Sequence, residues 1–309
     1  IGKVSPHRED IARCLIRIFD SQYLEFLQTV LQLEIMQSSD SATLFRANSI
    51  GSKALDVFMK IVGQKYLIAT LEKPLQDLAD SALPFEPDPS RLASPLENNL
   101  TQNVKNLTDM VEIIIAVIFE SSSNIPIAFK SIFNCIKNAV RKKFPLEEMA
   151  TYTSVSGFLF LRFFTPAILG PSLFHIKIDR CDEQVKRKFT LIAKVIQSLS
   201  NLSEFGKKEP FMEPINAFIK MKIPLMKEFL ESVSESDPHY IFPTGKYNLT
   251  SISTDCADLV SFLEQSLPKL QAHLPPSDMI PKLDLELKKV CELRRSLEKS
   301  NDSSIISET

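Results

Sequence analysis

The chain has 309 residues, 44% of them hydrophobic and 24% charged, with a net charge of −2, which excludes a disordered chain and allows one large domain or two modest ones. A sequence pI of about 6.2 argues against a typical nucleic-acid binder. Only seven glycines and no strand-like alternation argue against hairpin-rich and glycine-loop folds and leave an all-α chain.

Ser5 and Pro6 read as a helix start, with the hydroxyl capping and proline in the first turn. Ile11, Cys14, Leu15 and Ile18 follow at helical spacing, and a second apolar series (Leu24, Leu27, Val30, Leu31, Leu33) runs to about Met36. The polar knot from Gln37 to Ser41 ends it. A short loop, Thr43 to Ser49, carries Arg46, and helical patterning resumes from about Asn48 to Asp80 with Leu55, Phe58, Met59 and Val62 as its buried stripe. Four prolines at 84, 87, 89 and 95 make 81–96 an extended loop. Helices are expected at 97–120, 125–143 and 147–164, a connection at 165–182, and helices at 183–203 and 211–234. A turn-rich segment at 235–250 precedes final helices at 252–273 and 280–299 and a polar tail at 301–309. No repeat of fixed period is present.

Charge and cysteine are unevenly spread. Between Ile136 and Pro210 stand thirteen Lys and Arg against seven Asp and Glu, a local +6 that leaves −8 for the rest. A basic middle on an acidic body suits an acidic partner steered to one face. The five cysteines, at 14, 135, 181, 256 and 291, are odd in number and widely spaced, which favours reduced thiols in a cytoplasmic setting. No signal or targeting segment opens the chain, which reads as an excised domain.

The stretch Ser156 to Pro171 stands out. From Phe158 to Phe164 every side chain is apolar except Arg162, so a helix there would be buried on nearly every face and would take a guanidinium inside. An arginine cannot shed its charge, and leaving it buried and unpaired costs several kcal/mol. It must donate to backbone carbonyls or a carboxylate. Three arrangements satisfy this: a tie between core helices, a head that reaches solvent along its stem, or a brace for a working loop. Pro166 and Pro171 are expected to stop the helix. A membrane span needs about 20 apolar residues, and this run is interrupted by Arg162 and by its prolines.

Signatures of a self-contained enzyme are missing. No glycine stands in a G-x-x-x-x-G-K-[ST] loop, and the histidines at 7, 175, 239 and 273 are never four apart. No cysteine pair has metal-ligand spacing, and no G-x-S-x-G elbow occurs. Lys194, Gln197 and Asn201 recur at i, i+3 and i+7 and share one helix face, which by itself also describes a polar outer surface. Arg46, taken alone, reads as a solvated surface arginine.

Together these stretches resemble the Ras GTPase-activating (RasGAP) domain, in the manner of the GAP domains of C2/PH-containing Ras GAPs. Phe160-Leu-Arg-Phe-Phe-Thr-Pro-Ala167 looks like that family's Phe-Leu-Arg-x-x-x-Pro-Ala signature, and Thr43-Leu-Phe-Arg46 like its arginine-finger loop. Asn201 to Pro210 is similar to a third block. Small departures are Gly170, where relatives often carry Asn, and Lys207, where many carry a smaller residue.

The resemblance implies an all-α RasGAP-type fold: a catalytic domain at 41–239, and a discontinuous extra helical subdomain from 1–40 and 240–300. It implies a GTPase activator that supplies a catalytic arginine in trans and is not itself a hydrolase. Arg46 would be the finger, on a loop with Thr43, Leu44 and Phe45, and Arg162 its brace. Phe160, Pro166 and Ala167 would be structural. Leu161, Lys194, Gln197, Asn201, Lys208 and Glu209 would meet the GTPase. The partner would be a GTP-loaded Ras-family GTPase, with Rap proteins as further candidates, and no nucleic acid or transmembrane segment. No cofactor or metal of its own is implied, since the partner holds Mg and GTP, and the domain would be monomeric and cytoplasmic, with plasma-membrane recruitment left to other parts of a parent protein. A GTPase-binding scaffold of the same fold, without catalysis, is the alternative reading.

Overall fold

The computed structural model describes residues 6–19, 22–45, 49–92, 100–235, 252–273, 281–290 and 292. Among them every regular element is a helix, as the scarcity of glycine leads one to expect. In chain order these are α1 (Arg8–Ile18), α2 (Tyr23–Gln37), α3 (Ile50–Asp80), α4 (Leu100–Glu120), α5 (Ile127–Lys143) and α6 (Glu148–Leu159). A π-helical turn (Phe160–Phe164) joins α6 to α7 (Thr165–Leu169). Then come α8 (Glu183–Ser200), α9 (Asn216–Ser232), α10 (Ile252–His273) and a helix over 281–290.

Several boundaries differ from those expected. The Ser5 cap lies outside the described residues, and α1 begins at Arg8 behind His7, which makes no side-chain cap bond. The two apolar series form the separate helices α1 and α2. The 165–182 connection is helical as far as Leu169, and α8 ends at Ser200, where Leu202 turns into the left-handed region with φ 53°. The expected helix at 211–234 opens as a tight 3-10 segment, Pro210–Ile215. Residues 93–96, 236–250, 293–299 and 301–309, for which a loop, turns, the end of a helix and a tail were expected, lie outside the described residues.

The largest correction concerns the apolar run. In a regular α-helix Arg162 would follow Val155 and Phe158, both at most 1% exposed, onto the buried face. The π turn prevents this, because the Thr165 N–H bonds to the Phe160 carbonyl five residues back. The extra residue leaves Arg162 half-buried at the edge of the core and swings Phe163 and Phe164 into it, where both are fully buried. The same wide turn accommodates Pro166, whose missing N–H would interrupt an α ladder. Pro166 therefore does not stop the helix; Gly170 and Pro171 do. The continuous rod Glu148–Leu169 passes for a membrane-crossing helix by length and composition, yet 61% of its most apolar window is buried inside the fold, as in a core helix.

The chain divides into two compact units. One takes Ile1–Tyr23, Asn48–Val57 and Thr244–Thr309. In it α1 packs on α10, Arg17 pairs with the buried Asp255 at 3.2 Å, and the His7 ring stacks on Phe262 at 4.9 Å. Burial pushes the Cys14 thiol up, with Asp255 adding to the effect.

The other unit takes Leu24–Ala47 and Phe58–Pro243. Its core is aromatic: Phe58, Phe129, Phe133, Phe158, Phe160, Phe163 and Phe164 are all under 2% exposed. Their rings meet edge-on or tilted, Phe129 on Phe163 at 5.5 Å and Phe160 on Phe229 at 5.9 Å, the geometry ring quadrupoles favour. Gly63 on α3 makes this possible, since a Cβ there would stand 2.6 Å from the rings of Phe129 and Phe163. The proline-rich loop is tied down by side chains: Asn103 and Asn106 each donate at 2.9 Å, to the carbonyls of Glu86 and Pro84 respectively. Arg187 of α8 clasps Glu86 with two bonds of 2.7 and 2.8 Å, which fixes α8 against that loop.

Candidate functional site

The loop after α2 is built from local hydrogen bonds. Asp40 accepts the Ala42 N–H at 2.9 Å, and the Thr43 hydroxyl donates to the Asp40 carbonyl at 3.1 Å, so the chain turns tightly at Ser41–Thr43. The Ser41 hydroxyl donates to the carboxylate of Glu147, in the turn that leads into α6. Thr43 is exposed and Leu44 half-buried, whereas Phe45 goes inward and is 6% exposed.

Phe45 is held by two contacts against a strained backbone. Its ring lies on Phe158 at 4.8 Å between centroids. Its backbone is left-handed, φ 58°, which costs a non-glycine residue about 1–2 kcal/mol. Its carbonyl accepts from Arg162 Nη2 at 2.7 Å. The guanidinium lies 5.7 Å from the centre of the Phe158 ring, so one aromatic ring supports both the loop and the arginine that grips it. Arg162 is half-buried, at the edge of the core rather than within it. Arg46 lies outside the described residues, as do its neighbours 47 and 48.

Leu161, four residues on from Gly157, is 40% exposed. Phe160 and Ala167 are fully buried in the core, and Pro166 is half-buried. On α8 the buried face includes Phe189, Ile192, Val195, Ile196 and Leu199, which leaves Lys194 and Gln197 half-buried on the outer side and Asn201 exposed at the C-terminal end. Asp182 caps α8 by accepting the Val185 N–H at 3.0 Å. That bond, with the Arg180 side chain, holds the Asp182 carboxyl below the usual carboxylate range. Lys194 pairs with Glu209 across the exit loop, and Lys208 is exposed beside them. The exit loop is pinned by reciprocal bonds between the Phe205 backbone and the Asn216 amide, 2.8 and 2.9 Å.

A groove of about 590 Å³ joins part of this set, with Leu44, Phe45, Leu161, Arg162 and Asn201 among its lining residues. Lys194, Gln197, Lys208 and Glu209 do not line it. Sequence reasoning missed the Ser41–Glu147 link and the groove wall at Leu146, Met149 and Gly157. An apolar Leu146 directly after Phe144-Pro145 was a readable sign of a corner at the surface. Among the described residues no three His, Cys, Asp or Glu side chains come together to hold a metal ion. The arrangement presents a strained loop end, braced by Arg162, beside an open groove.

Comparison with known proteins identifies a family for the chain. The family model described as GTPase-activator protein for Ras-like GTPase matches residues 26–101 and 94–201. Among curated relatives, the Dictyostelium discoideum "Probable Ras GTPase-activating-like protein ngap" is 36% identical over 76% of this chain and 27% of its own length. Ras GTPase-activating protein 3 of Bos taurus is 33% identical over 76% of this chain and 29% of its own length. Ras GTPase-activating protein 1 of Homo sapiens is 33% identical over 81% of this chain and 24% of its own length. The chain thus spans less than a third of the length of each of these relatives.

Proposed function

The chain belongs to the family of GTPase-activator proteins for Ras-like GTPases, and from that premise we infer that it accelerates GTP hydrolysis by a Ras-type GTPase by inserting Arg46 beside the transferring phosphate. The observation that carries this reading is the grip of Arg162 on the Phe45 carbonyl at 2.7 Å, one residue before Arg46. Hydrolysis of GTP places negative charge on the phosphoryl group and the leaving oxygen, so catalysis is mostly positioning and charge stabilisation. An arginine supplied in trans is worth about 10³–10⁵ in kcat, a general figure measured on Ras-type GTPases themselves. At about 1.36 kcal/mol per decade that is roughly 4–7 kcal/mol. A loose arginine loses up to about 2 kcal/mol of this to rotamer ordering, and fixing the backbone at Phe45 reduces the part of the chain left to order.

In this reading Arg162 is a positioning residue for the finger loop, and Thr43 and Leu44 shape the loop. Leu161 and Asn201 face the GTPase from the groove, and Lys194, Gln197, Lys208 and Glu209 meet it from the end of α8. Mg and GTP come with the partner. Rap proteins are candidate substrates beside Ras, and the domain acts as a monomer in the cytoplasm, with other parts of a parent protein bringing it to the plasma membrane.

A single-turnover assay on a panel of GTP-loaded Ras and Rap proteins, with and without the chain, tests the reading. We expect acceleration of at least one Ras-type member by about 10³-fold or more. GTP-dependent binding without acceleration would make the chain a scaffold, and no GTP-dependent binding across the panel would remove the function altogether.

A further inference from the structure

Four residues of one rod line the groove at intervals of four: Met149, Thr153, Gly157 and Leu161. That spacing stacks them on a single face. Met149 is 42% and Leu161 40% exposed, and Leu146, on the corner at the groove's end, is 98% exposed. Glycine inside a helix is unfavourable relative to alanine, so its presence needs a reason. Gly63 has one within the chain, because a Cβ there would strike the rings of Phe129 and Phe163. Gly157 has none, since a Cβ at that position would meet nothing within 4 Å. The chain's own packing leaves room for a side chain where none is present.

We propose that Gly157 is a contact and specificity residue for the GTP-loaded Ras-type GTPase. Its bare backbone is the floor on which an apolar side chain from the partner's nucleotide-bearing face rests, between Leu161 on one side and Met149 and Leu146 on the other. The occupant follows from continuity and rests on the function proposed above. The groove includes Arg162 and Phe45, and Phe45 directly precedes in sequence the arginine proposed above as the finger. A protein that offers a phosphate to that arginine lies across the groove, and only its nucleotide-bearing face can do so. A side chain at 157 would fill the floor and keep the partner at a distance.

The test reads two quantities of opposite sign. Gly157→Ala is expected to raise the melting temperature by about 1–3 °C, as removal of a helix-interior glycine should, while weakening binding to the GTP-loaded GTPase about threefold. Gly157→Leu is expected to keep the fold and weaken binding by about tenfold or more. Leu146→Ser, at a side chain the fold does not bury, is expected to weaken binding about three- to tenfold with an unchanged melting temperature. Affinities are read with a non-hydrolysable GTP analogue on the GTPase. If the unsubstituted chain binds in a GTP-dependent way and both Gly157→Leu and Leu146→Ser bind equally well, the groove inference is overturned and the activator reading stands. If the unsubstituted chain itself shows no GTP-dependent binding, both fall together.

Discussion

Arg162 sits where two demands meet: a charge that cannot be discharged, and a loop end in a left-handed conformation that needs a partner to hold it. Its bond to the Phe45 carbonyl at 2.7 Å is charge-assisted. Such bonds are worth about 1.5–3 kcal/mol, and half exposure reduces this one toward about 1 kcal/mol. Arg162→Ala should therefore lower the melting temperature only modestly but cut stimulated hydrolysis about 10–30-fold, through the ordering cost returned to the loop. Arg162→Lys keeps the charge, loses the planar fork and should fall between the two. Single-turnover rates at saturating chain, beside thermal melts, check this; full rate in Arg162→Ala would show that the loop holds itself. The need of Arg162 for an acceptor could be read from the residues, because an arginine amid phenylalanines must bond to something. Its exposure could not, because counting 3.6 residues per turn carries it inward with Phe158 and gives no sign of the five-residue π turn at Phe160–Phe164.

At the scale of elements, the long periodic helices were legible and their ends were not. α8 shows why. Its apolar positions recur strictly enough to set the buried face, and its outer face carries Lys194 and Gln197, with Asn201 just past its end. Its end depends on Leu202 entering the left-handed region, φ 53°, which no local propensity announces. Its start depends on Asp182, whose folded pKa is lowered by the Val185 N–H and then by Arg180. A carboxyl with a depressed folded pKa adds stability above its ordinary value of 3.8, and that stability is lost as pH falls through the lower folded value. Asp182→Asn keeps a capping oxygen and removes the charge. It should melt below the parent chain at neutral pH, with the gap closing once the pH drops beneath 3.8. A gap unchanged down to that acidity would mean the charge at the helix start contributes nothing.

Across the whole molecule, the residues assigned to the site that the structure describes all lie in one of the two units, from Leu24–Ala47 and Phe58–Pro243. The excess of basic residues between Ile136 and Pro210 falls in the same unit, which suits encounter with an acidic partner. All-α architecture was legible from the seven glycines and the absence of strand-like alternation. The groove was not, because it forms where the loop after α2, the α5–α6 corner and α6 come together, at sequence separations of about a hundred residues, such as Ser41 to Glu147. The central claim is that this helical body lends a positioned arginine to a phosphate held by another protein, and Arg46→Ala measured by single-turnover hydrolysis, together with affinity for the GTP-loaded GTPase, tests it most directly. The account predicts stimulation reduced by about 10³-fold or more, with affinity changed by no more than a few-fold. Stimulation that survives the loss of Arg46, at an affinity like that of the parent chain, would contradict it.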